Sequence, residues 1–221
     1  MRTYGQYCPI ARTAEILAER WTPLIVRNLL FGAETFSAIA GGVPAMSRST
    51  LVARLRELER AGVIETRPKP TGRGSLYSLT DGGRDLADTI YAMASWGERW
   101  VEIEPRHCDP GFALWAWCRV QLDRDVLPEN RVVVAFRFPE ERRGERDYWL
   151  LVQNRSAEVC HSDPGGDPGL WVESSSQAFV DWHRGARSWR DVTSSGDIRV
   201  HGSSDLARSF PRWNLHEPHP G

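Results

Sequence analysis

The sequence predicts two domains, a mainly α-helical one that contains a two-stranded ribbon and an α+β one. Three features indicate this organisation. The chain of 221 residues is long enough for one or two domains. Apolar residues recur mostly at helical spacing up to about residue 103, whereas β-rich and helical runs alternate from about residue 112. Between these parts lies EIEPRHCDPG, a stretch with two prolines and a glycine that is typical of a domain boundary.

The first half begins with four predicted helices. The runs ARTAEILAER, WTPLIVRNLLFG and TFSAIAGGVP each predict a short one. In the second run, Thr22 is expected to be the N-cap, with Pro23 at the first helical position. The fourth helix extends over residues 47–61, where Ser47 is its cap and Gly62 ends it.

A ribbon and a long helix complete the first half. The runs VIETRPK and LYSLT predict two strands joined by a Gly-rich connection, so that a wing spans residues 67–76. Thr80 is expected to cap a helix from about Asp81 to Glu102. One face of this helix carries the apolar residues Leu86, Ile90, Met93 and Trp100.

The second half predicts an α+β domain over residues 112–215. ALWAWCRVQL is helical, RVVVAFRF, YWLLVQN and AEVCHS form a β-meander, and LWVES is a further strand. SQAFVDWHRG and SWRDVT are helical, GDIRVHG is a strand, and a last helix follows Ser203 as its cap. We expect His183 to be a surface or a capping residue, Glu140 and Glu141 to lie in a solvated turn, and residues 216–221 to form a flexible tail.

Helix, tight turn, helix and ribbon in this order form a winged helix-turn-helix. Opposite its leucines, helix 47–61 carries small hydroxyl residues and arginines, with no acid in its first two turns. Such a face can enter the major groove, where Arg48 would donate to guanine and the hydroxyls to bases or phosphates. Lys69 and Arg73 of the ribbon could reach phosphates or the minor groove. The predicted DNA-binding residues are Thr35, Ser47, Arg48, Ser49, Thr50, Arg54, Arg56, Lys69 and Arg73.

Residues 4–104 resemble the HxlR family of winged-helix regulators, which are related to the MarR type. The resemblance is carried by YCPIARTAEILAERWTPLIVRNLLFGAETFSAI, SRSTLVARLRELERAGVIETR, YSLTDGGRDL and WGERW, in the family's order. It implies a homodimeric transcription factor that binds a palindromic or repeated operator in double-stranded DNA. It also implies a dimer interface formed by the first and last helices of this domain. The predicted domain spans residues 1–104, and residues 105–111 are a linker.

The second half is rich in aromatic residues and holds seven of the ten tryptophans. Its segment FVDWHRGARSWRDVTSSGDIRVHGSSDLARSFPRW resembles the end of sterol carrier protein type 2-like domains. That resemblance implies a sterol-carrier-like fold with a hydrophobic tunnel, and an apolar small-molecule effector. The residues predicted to bind this ligand are Trp115, Phe136, Trp149, Phe179, Trp182, Trp189 and Phe210. An aromatic core is the alternative, because the same rings could fill the space.

Other function classes find no support in the sequence. The net charge of −1 gives no bulk argument for DNA binding. No HExxH, G-x-S-x-G, P-loop or Cys/His metal spacing occurs, so we expect no enzyme, no cofactor and no metal site. Neither an apolar signal region nor an apolar run of about 18 residues is present, and we expect a cytoplasmic protein with no membrane partner.

Two alternative functions remain open at this point. Cys8 precedes a predicted helix, a position that can make a thiol reactive, so the chain could be a redox- or electrophile-sensing regulator with a purely structural second domain. It could also be an apolar-ligand carrier whose winged helix is only a scaffold. For the main interpretation, we hypothesise that ligand binding shifts the long helix ending in WGERWVEIE and thereby the spacing of two recognition helices.

Overall fold

The computed structural model describes residues 3–215, so the predicted tail at 216–221 lies outside the described residues. Its contacts divide the chain after Glu102 into two compact units. Each unit has its own buried apolar residues and is described separately.

The first unit contains the predicted helices and ribbon. Its elements are α1 (Pro9–Leu17), α2 (Thr22–Leu30), α3 (Phe36–Gly41), α4 (Arg48–Arg60), β1 (Ile64–Pro68), β2 (Ser75–Leu79), α5 (Asp81–Arg84) and α6 (Ala87–Trp100). The strands β1 and β2 pair antiparallel. Helices α3 and α4, with the ribbon after them, make this unit a winged helix-turn-helix.

The leucines of α4 face the core, as their spacing predicts. Leu51, Leu55 and Leu58 are buried together with Ile25 of α2 and Ile39 of α3. Each fully buried aliphatic side chain contributes about 1.5–3 kcal/mol relative to an exposed one. The opposite face of α4 is therefore fixed toward solvent.

The caps of the helices are partly as predicted. Ser47 is the N-cap of α4 and accepts a hydrogen bond from the backbone N–H of Thr50 at 3.2 Å. The prediction for α2 was wrong, because Thr22 is its first helical residue and Trp21 occupies the N-cap. Trp21 has a left-handed backbone with a φ of 78°, and the Arg20 guanidinium lies 4.8 Å from its ring centroid. Thr22 itself is buried.

The prediction of one long helix from Asp81 to Glu102 was wrong, because the structure divides this segment into two helices and ends the second one earlier. The chain forms α5 and then α6, with a turn in which the Leu86 N–H donates to the Gly83 carbonyl at 3.3 Å. Gly83 lies against Val63, the residue before β1, since a Cβ on Gly83 would lie 2.0 Å from the Val63 carbonyl oxygen. Helix α6 ends at Trp100, and residues 101–104 are not helical.

A third backbone segment, at Glu34 and Thr35, pairs with the ribbon, and this pairing was not predicted from the sequence. The Tyr77 N–H donates to the Glu34 carbonyl at 2.8 Å, and Thr35 forms a bridge with Leu76. Thr35 is also the N-cap of α3. The start of α3 is thus tied directly to the ribbon.

The second unit is an α+β domain, as predicted. Its elements are α7 (Pro110–Ala116) with a π-helical continuation (Trp117–Gln121), β3 (Val132–Arg137), β4 (Asp147–Gln153), β5 (Ser156–Cys160), β6 (Leu170–Ser174), α8 (Ser176–His183), α9 (Trp189–Ser194), β7 (Ile198–Gly202) and α10 (Ser204–Ser209). Short 3₁₀ turns lie at Pro105–His107, Arg124–Val126 and Phe210–Trp213.

The five strands form one sheet in the order β5-β4-β3-β6-β7. The pair β3–β6 is parallel and the other three pairs are antiparallel. Residues of α7, α8 and the C-terminal turns share a buried cluster with alternate residues of the strands. The resemblance to sterol carrier protein type 2-like domains stays a prediction.

Two local expectations for the second unit were wrong. His183 is buried, and its Nδ1 is hydrogen-bonded to Gln121 Oε1. Glu140 and Glu141 do not form a merely solvated turn, because they bind the first residue of α8. The Ser176 N–H donates to Glu140 at 2.5 Å and the Ser176 hydroxyl donates to Glu141 at 2.9 Å.

Candidate nucleic-acid interface

The outward face of α4 is a continuous surface without acidic residues. Its five side chains are all exposed, and they lie on one side of the helix because their spacing follows its turns. Together with Phe36 of α3 they line an open depression of about 580 Å³. The five are Arg48, Ser49, Val52, Ala53 and Arg56. We name this surface the α4 face.

Hydroxyl groups cluster at the start of α4. Ser47 Oγ lies 2.7 Å from Thr50 Oγ1 and 3.1 Å from Ser49 Oγ. The first turn contains no acid, so nothing opposes the positive end of the helix dipole. A helix N-terminus with these donors attracts phosphate groups.

Arg48 is oriented by an aromatic ring. Its guanidinium carbon lies 5.0 Å from the ring centroid of Phe36, a separation typical of a cation–π contact. Phe36 was missed by sequence reasoning, because its place beside Arg48 depends on how α3 crosses α4. The contact holds the arginine at the rim of the depression.

Arg54 does not belong to the α4 face. It forms ion pairs with Glu57 at 2.5 Å and with Glu19 at 2.8 Å, and its side chain is only 20% exposed. The contact of Arg54 with the DNA backbone stays a prediction, and the two carboxylates hold its guanidinium in this structure. Its ion pair with Glu19 connects α4 to the segment between α1 and α2.

The predicted wing cations lie on the connection between β1 and β2. Arg73 is exposed and Lys69 is half-buried, and neither lines the depression of the α4 face. The Lys69 N–H donates to the Gly74 carbonyl at 3.1 Å, which closes the connection. Thr35 uses its hydroxyl to accept from the Ala38 N–H at 3.2 Å.

An apolar surface covers α1 and α6 of the first unit. Ile10 is 79% exposed and Trp96 is 62% exposed, and Met93 and Trp100 are also exposed. A depression of about 450 Å³ lies between α1 and α6, with Ile10, Leu17 and Met93 among its lining residues. Exposed apolar surface of this extent is typical of an interface.

Most of the predicted ligand-binding aromatics lie together in the second unit as a packed ring cluster. Their ring centroids are 4.9–6.4 Å apart, and Trp117, which was not among the predicted residues, lies at the centre of the cluster. The cluster comprises Trp117, Phe136, Phe179, Trp182, Trp189 and Phe210. This packing is that of an aromatic core, the alternative left open by the sequence.

Two predicted ligand-binding residues lie elsewhere. Trp115 is buried on α7 and stacks on Phe112, with ring centroids 6.0 Å apart. Trp149 pairs with Ala135 across β3 and β4, one residue out of phase with Phe136, so its side chain points to the opposite face of the sheet. The alternation of strand residues could have separated Trp149 from Phe136, whereas the position of Trp115 depends on tertiary packing.

Cys8 is the N-cap residue of α1 and is half-buried. The segment before it is held by Glu15, which accepts from the Tyr4 N–H and the Thr3 hydroxyl, both at 2.8 Å. These hydrogen bonds lower the pKa of the Glu15 carboxyl. Burial raises the pKa of the thiols of the other three cysteines, to about 11 for Cys118.

Residues 3–215 offer neither a cluster of metal ligands nor a helix that could span a membrane. That part of the chain contains no group of three or more His, Cys, Asp or Glu side chains placed to hold a metal ion. None of its helices combines the length and the apolar character needed to cross a membrane.

Comparison with known proteins concerns the first half of the chain. Residues 16–105 match the family model described as HxlR-like helix-turn-helix. YvaP of Bacillus subtilis (strain 168), an uncharacterised HTH-type transcriptional regulator, is 36% identical over 100 residues, which are 44% of this chain and 93% of YvaP. The HTH-type transcriptional regulator YodB of the same organism is 31% identical over 104 residues, which are 46% of this chain and 93% of YodB.

Among solved structures, the reduced form of YodB from B. subtilis is 30% identical to this chain. It aligns with a TM-score of 0.39 and covers 44% of this chain and 97% of YodB. The family match ends at residue 105, so the second unit, which starts at residue 103, lies almost entirely outside it.

Proposed function

The chain belongs to the HxlR-like helix-turn-helix family of transcriptional regulators, and from this premise we propose that its first unit binds operator DNA through the α4 face. The observation that carries the proposal is this exposed surface, which holds Arg48 and Arg56 and no acid. Local neutralisation of phosphates determines DNA affinity, so the net charge of −1 for the whole chain does not oppose it.

The start of α4, the α4 face and the wing would contact different parts of the DNA. The N-terminus of α4, with its hydroxyl cluster, would bind a backbone phosphate. This contact would determine how deeply α4 enters the major groove. Arg48, held by Phe36, would donate to a guanine edge in the major groove. Arg56 lies two turns further along and would contact backbone, with Lys69 and Arg73 of the wing adding phosphate contacts.

We propose that the DNA-binding form is a homodimer. The exposed apolar residues of α1 and α6 support this proposal, because two copies that pair through them would remove Ile10, Met93 and Trp96 from water. A symmetric dimer presents two copies of α4 to two half-sites, which explains a palindromic or repeated operator.

Selection from a library of randomised duplexes tests the DNA-binding proposal. The wild-type protein should enrich one sequence, and Arg48→Ala together with Arg56→Ala should abolish the enrichment. The control is Arg143→Ala, an exposed arginine of the second unit. Enrichment unchanged by the double variant would mean that another surface binds DNA. Absence of enrichment in the wild type would favour the scaffold interpretation of the winged helix.

We propose that an apolar small molecule in the second unit modulates DNA affinity. Trp117 Nε1, Trp213 Nε1 and Asn214 Oδ1 support a ligand with a polar group, because these buried atoms have no hydrogen-bond partner within the described residues. The ligand would have to separate aromatic rings that are in contact in this structure.

Native mass spectrometry of protein purified from its host tests the proposal of an apolar effector. A copurified apolar compound that also changes DNA affinity is expected, and the absence of any such compound counts against it.

A thiol switch at Cys8 is a second candidate function, favoured by the position of this half-buried thiol at the N-cap of α1. Modification by an oxidant or an electrophile would alter α1 and with it the proposed dimer surface. Cys8→Ser should then abolish the response of DNA affinity to the reagent, whereas Cys160→Ser should retain it. An unchanged response in Cys8→Ser would exclude this switch.

A further inference from the structure

An apolar strip interrupts the charged and polar residues of the α4 face. Val52 is 37% exposed, although the buried leucines of α4 lie on the other side of the helix. It lines the depression together with Ala53 and Phe36, between Arg48 and Arg56. A single exposed valine is common on protein surfaces, but here three apolar side chains share one depression flanked by two cations.

The chemistry of the DNA major groove supplies one apolar group that fits this strip. Each base edge there presents hydrogen-bond donors or acceptors, and only thymine adds a methyl group. Alanine and phenylalanine side chains are known partners of that methyl group. The flanking arginines match a polyanion, so the occupant of this depression is DNA and not an apolar protein segment.

We propose that Val52, Ala53 and Phe36 receive the C5 methyl group of one thymine in each operator half-site. The inference rests on the proposed function and adds a specificity-determining contact to it. Val52 follows Arg48 by one helical turn, a rise of about 6 Å. Since base pairs are stacked about 3.4 Å apart, this thymine lies roughly two steps from the guanine that Arg48 contacts.

The test uses the duplex selected with the wild-type protein and replaces its thymines one at a time by deoxyuridine, which removes the methyl group alone. Fluorescence anisotropy then gives the affinity for each duplex. At one thymine in each half-site, deoxyuridine should weaken binding about fourfold. Val52→Ser should clearly reduce this fourfold difference, because the methyl group loses one of its three apolar partners. The matched control is Val126→Ser, which changes an equally exposed valine of the second unit and should keep the fourfold difference.

The outcomes separate this inference from the proposal on which it rests. Selective binding in which no deoxyuridine has an effect would overturn the thymine contact and leave the DNA-binding function intact. A fourfold effect that persists in Val52→Ser would also overturn it, because the methyl group would be read elsewhere. If no duplex is selected at all, both the function and the thymine contact fail.

Discussion

At the residue scale, two arginines two positions apart on α4 have different surroundings. Arg54 and Arg56 are separated by a single position in the sequence, and both were predicted to bind DNA. Glu19 and Glu57 hold the guanidinium of Arg54, whereas Arg56 is exposed on the α4 face. Two positions rotate an α-helix by about 200°, so spacing alone places the two arginines on different sides of α4. The contact of Arg54 with Glu19, which lies outside α4, depends on the fold.

Substitution of these two arginines separates stability from DNA contact. Arg54→Ala should lower the free energy of unfolding by about 1 kcal/mol, since two half-exposed ion pairs are lost. The slope of log affinity against log salt should not change. Arg56→Ala should leave stability unaltered and reduce that slope by about one. Urea unfolding and salt-dependent anisotropy measure the two effects, and a reduced slope for Arg54→Ala would contradict the assignment.

Thiol reactivity should follow the burial of the four cysteines. Burial holds the pKa of Cys118 at about 11 and raises that of Cys108 and Cys160, so few of these thiols are ionised at neutral pH. Cys8 should therefore react first with iodoacetamide at pH 8 and Cys118 last. Peptide mass spectrometry at successive times gives the order. Labelling of Cys118 before Cys8 would show that the second unit opens readily.

Glu15 should make the N-terminal segment sensitive to acid. The Tyr4 N–H and the Thr3 hydroxyl hold the pKa of this carboxyl below its usual value of 4.5. Its stabilising contribution is therefore complete above about pH 4.5 and is lost as pH falls through the lower folded-state value. Glu15→Gln should lower the melting temperature at pH 7, and the difference from wild type should shrink toward pH 3. A difference that is constant with pH would contradict this role.

At the element scale, the helix predicted after Thr80 is divided into α5 and α6, and a close contact between backbones lies beside the break. The predicted cap Thr80 is present, and its hydroxyl accepts from the Gly83 N–H at 3.1 Å. Gly83, near the end of α5, packs against the carbonyl of Val63. The sequence shows two adjacent glycines, but only the fold shows which of them is in contact.

Alanine at each glycine of this pair tests the contact. Gly83→Ala should destabilise the first unit by about 1–3 kcal/mol, because the new Cβ would overlap the Val63 carbonyl oxygen. Gly82→Ala is the control, since its nearest neighbour to a Cβ is Thr80 Oγ1 at 4.0 Å. Hydrogen exchange of the α2 and α4 amides reports the opening of this unit. Equal effects of both substitutions would contradict the packing described for Gly83.

Helix α6 carries the apolar residues that should pair two copies of the chain. Trp96→Glu would place a charge on this surface and should shift the protein toward monomer by at least tenfold in dissociation constant. Sedimentation equilibrium measures the shift, with Trp171→Glu, a similarly exposed tryptophan of the second unit, as control. A dimer that tolerates Trp96→Glu but not Trp171→Glu would place the interface on the second unit.

At the scale of the whole molecule, local signals predicted most of the architecture. Ser47 and Ser203 cap the helices expected of them, and the seven strands lie where β-rich runs predicted them. What sequence reasoning missed depends on tertiary contact: the bridge from Thr35 to the ribbon, the place of Phe36 beside Arg48, and the burial of His183. Candidate site residues next to one another on α4 could be predicted, whereas residues brought together from different elements could not.

Coupling between the two units cannot depend on one rigid helix. The hypothesis of a continuous lever required helix up to Glu102, but α6 ends at Trp100 and a non-helical segment follows. The last helical hydrogen bond of α6 runs from the Val101 N–H to the Gly97 carbonyl at 2.9 Å, so a rotation of α6 is not carried further by such bonds.

The central claim is that the α4 face binds DNA specifically, and anisotropy at several salt concentrations tests it most directly. The selected duplex and an unrelated one are compared, with wild-type protein and with the Arg48→Ala, Arg56→Ala double variant. We expect saturable, preferential binding by the wild type with a log–log salt slope of several units, and a smaller slope with lost preference in the double variant. Equal and weak binding of both duplexes by both proteins would contradict the claim.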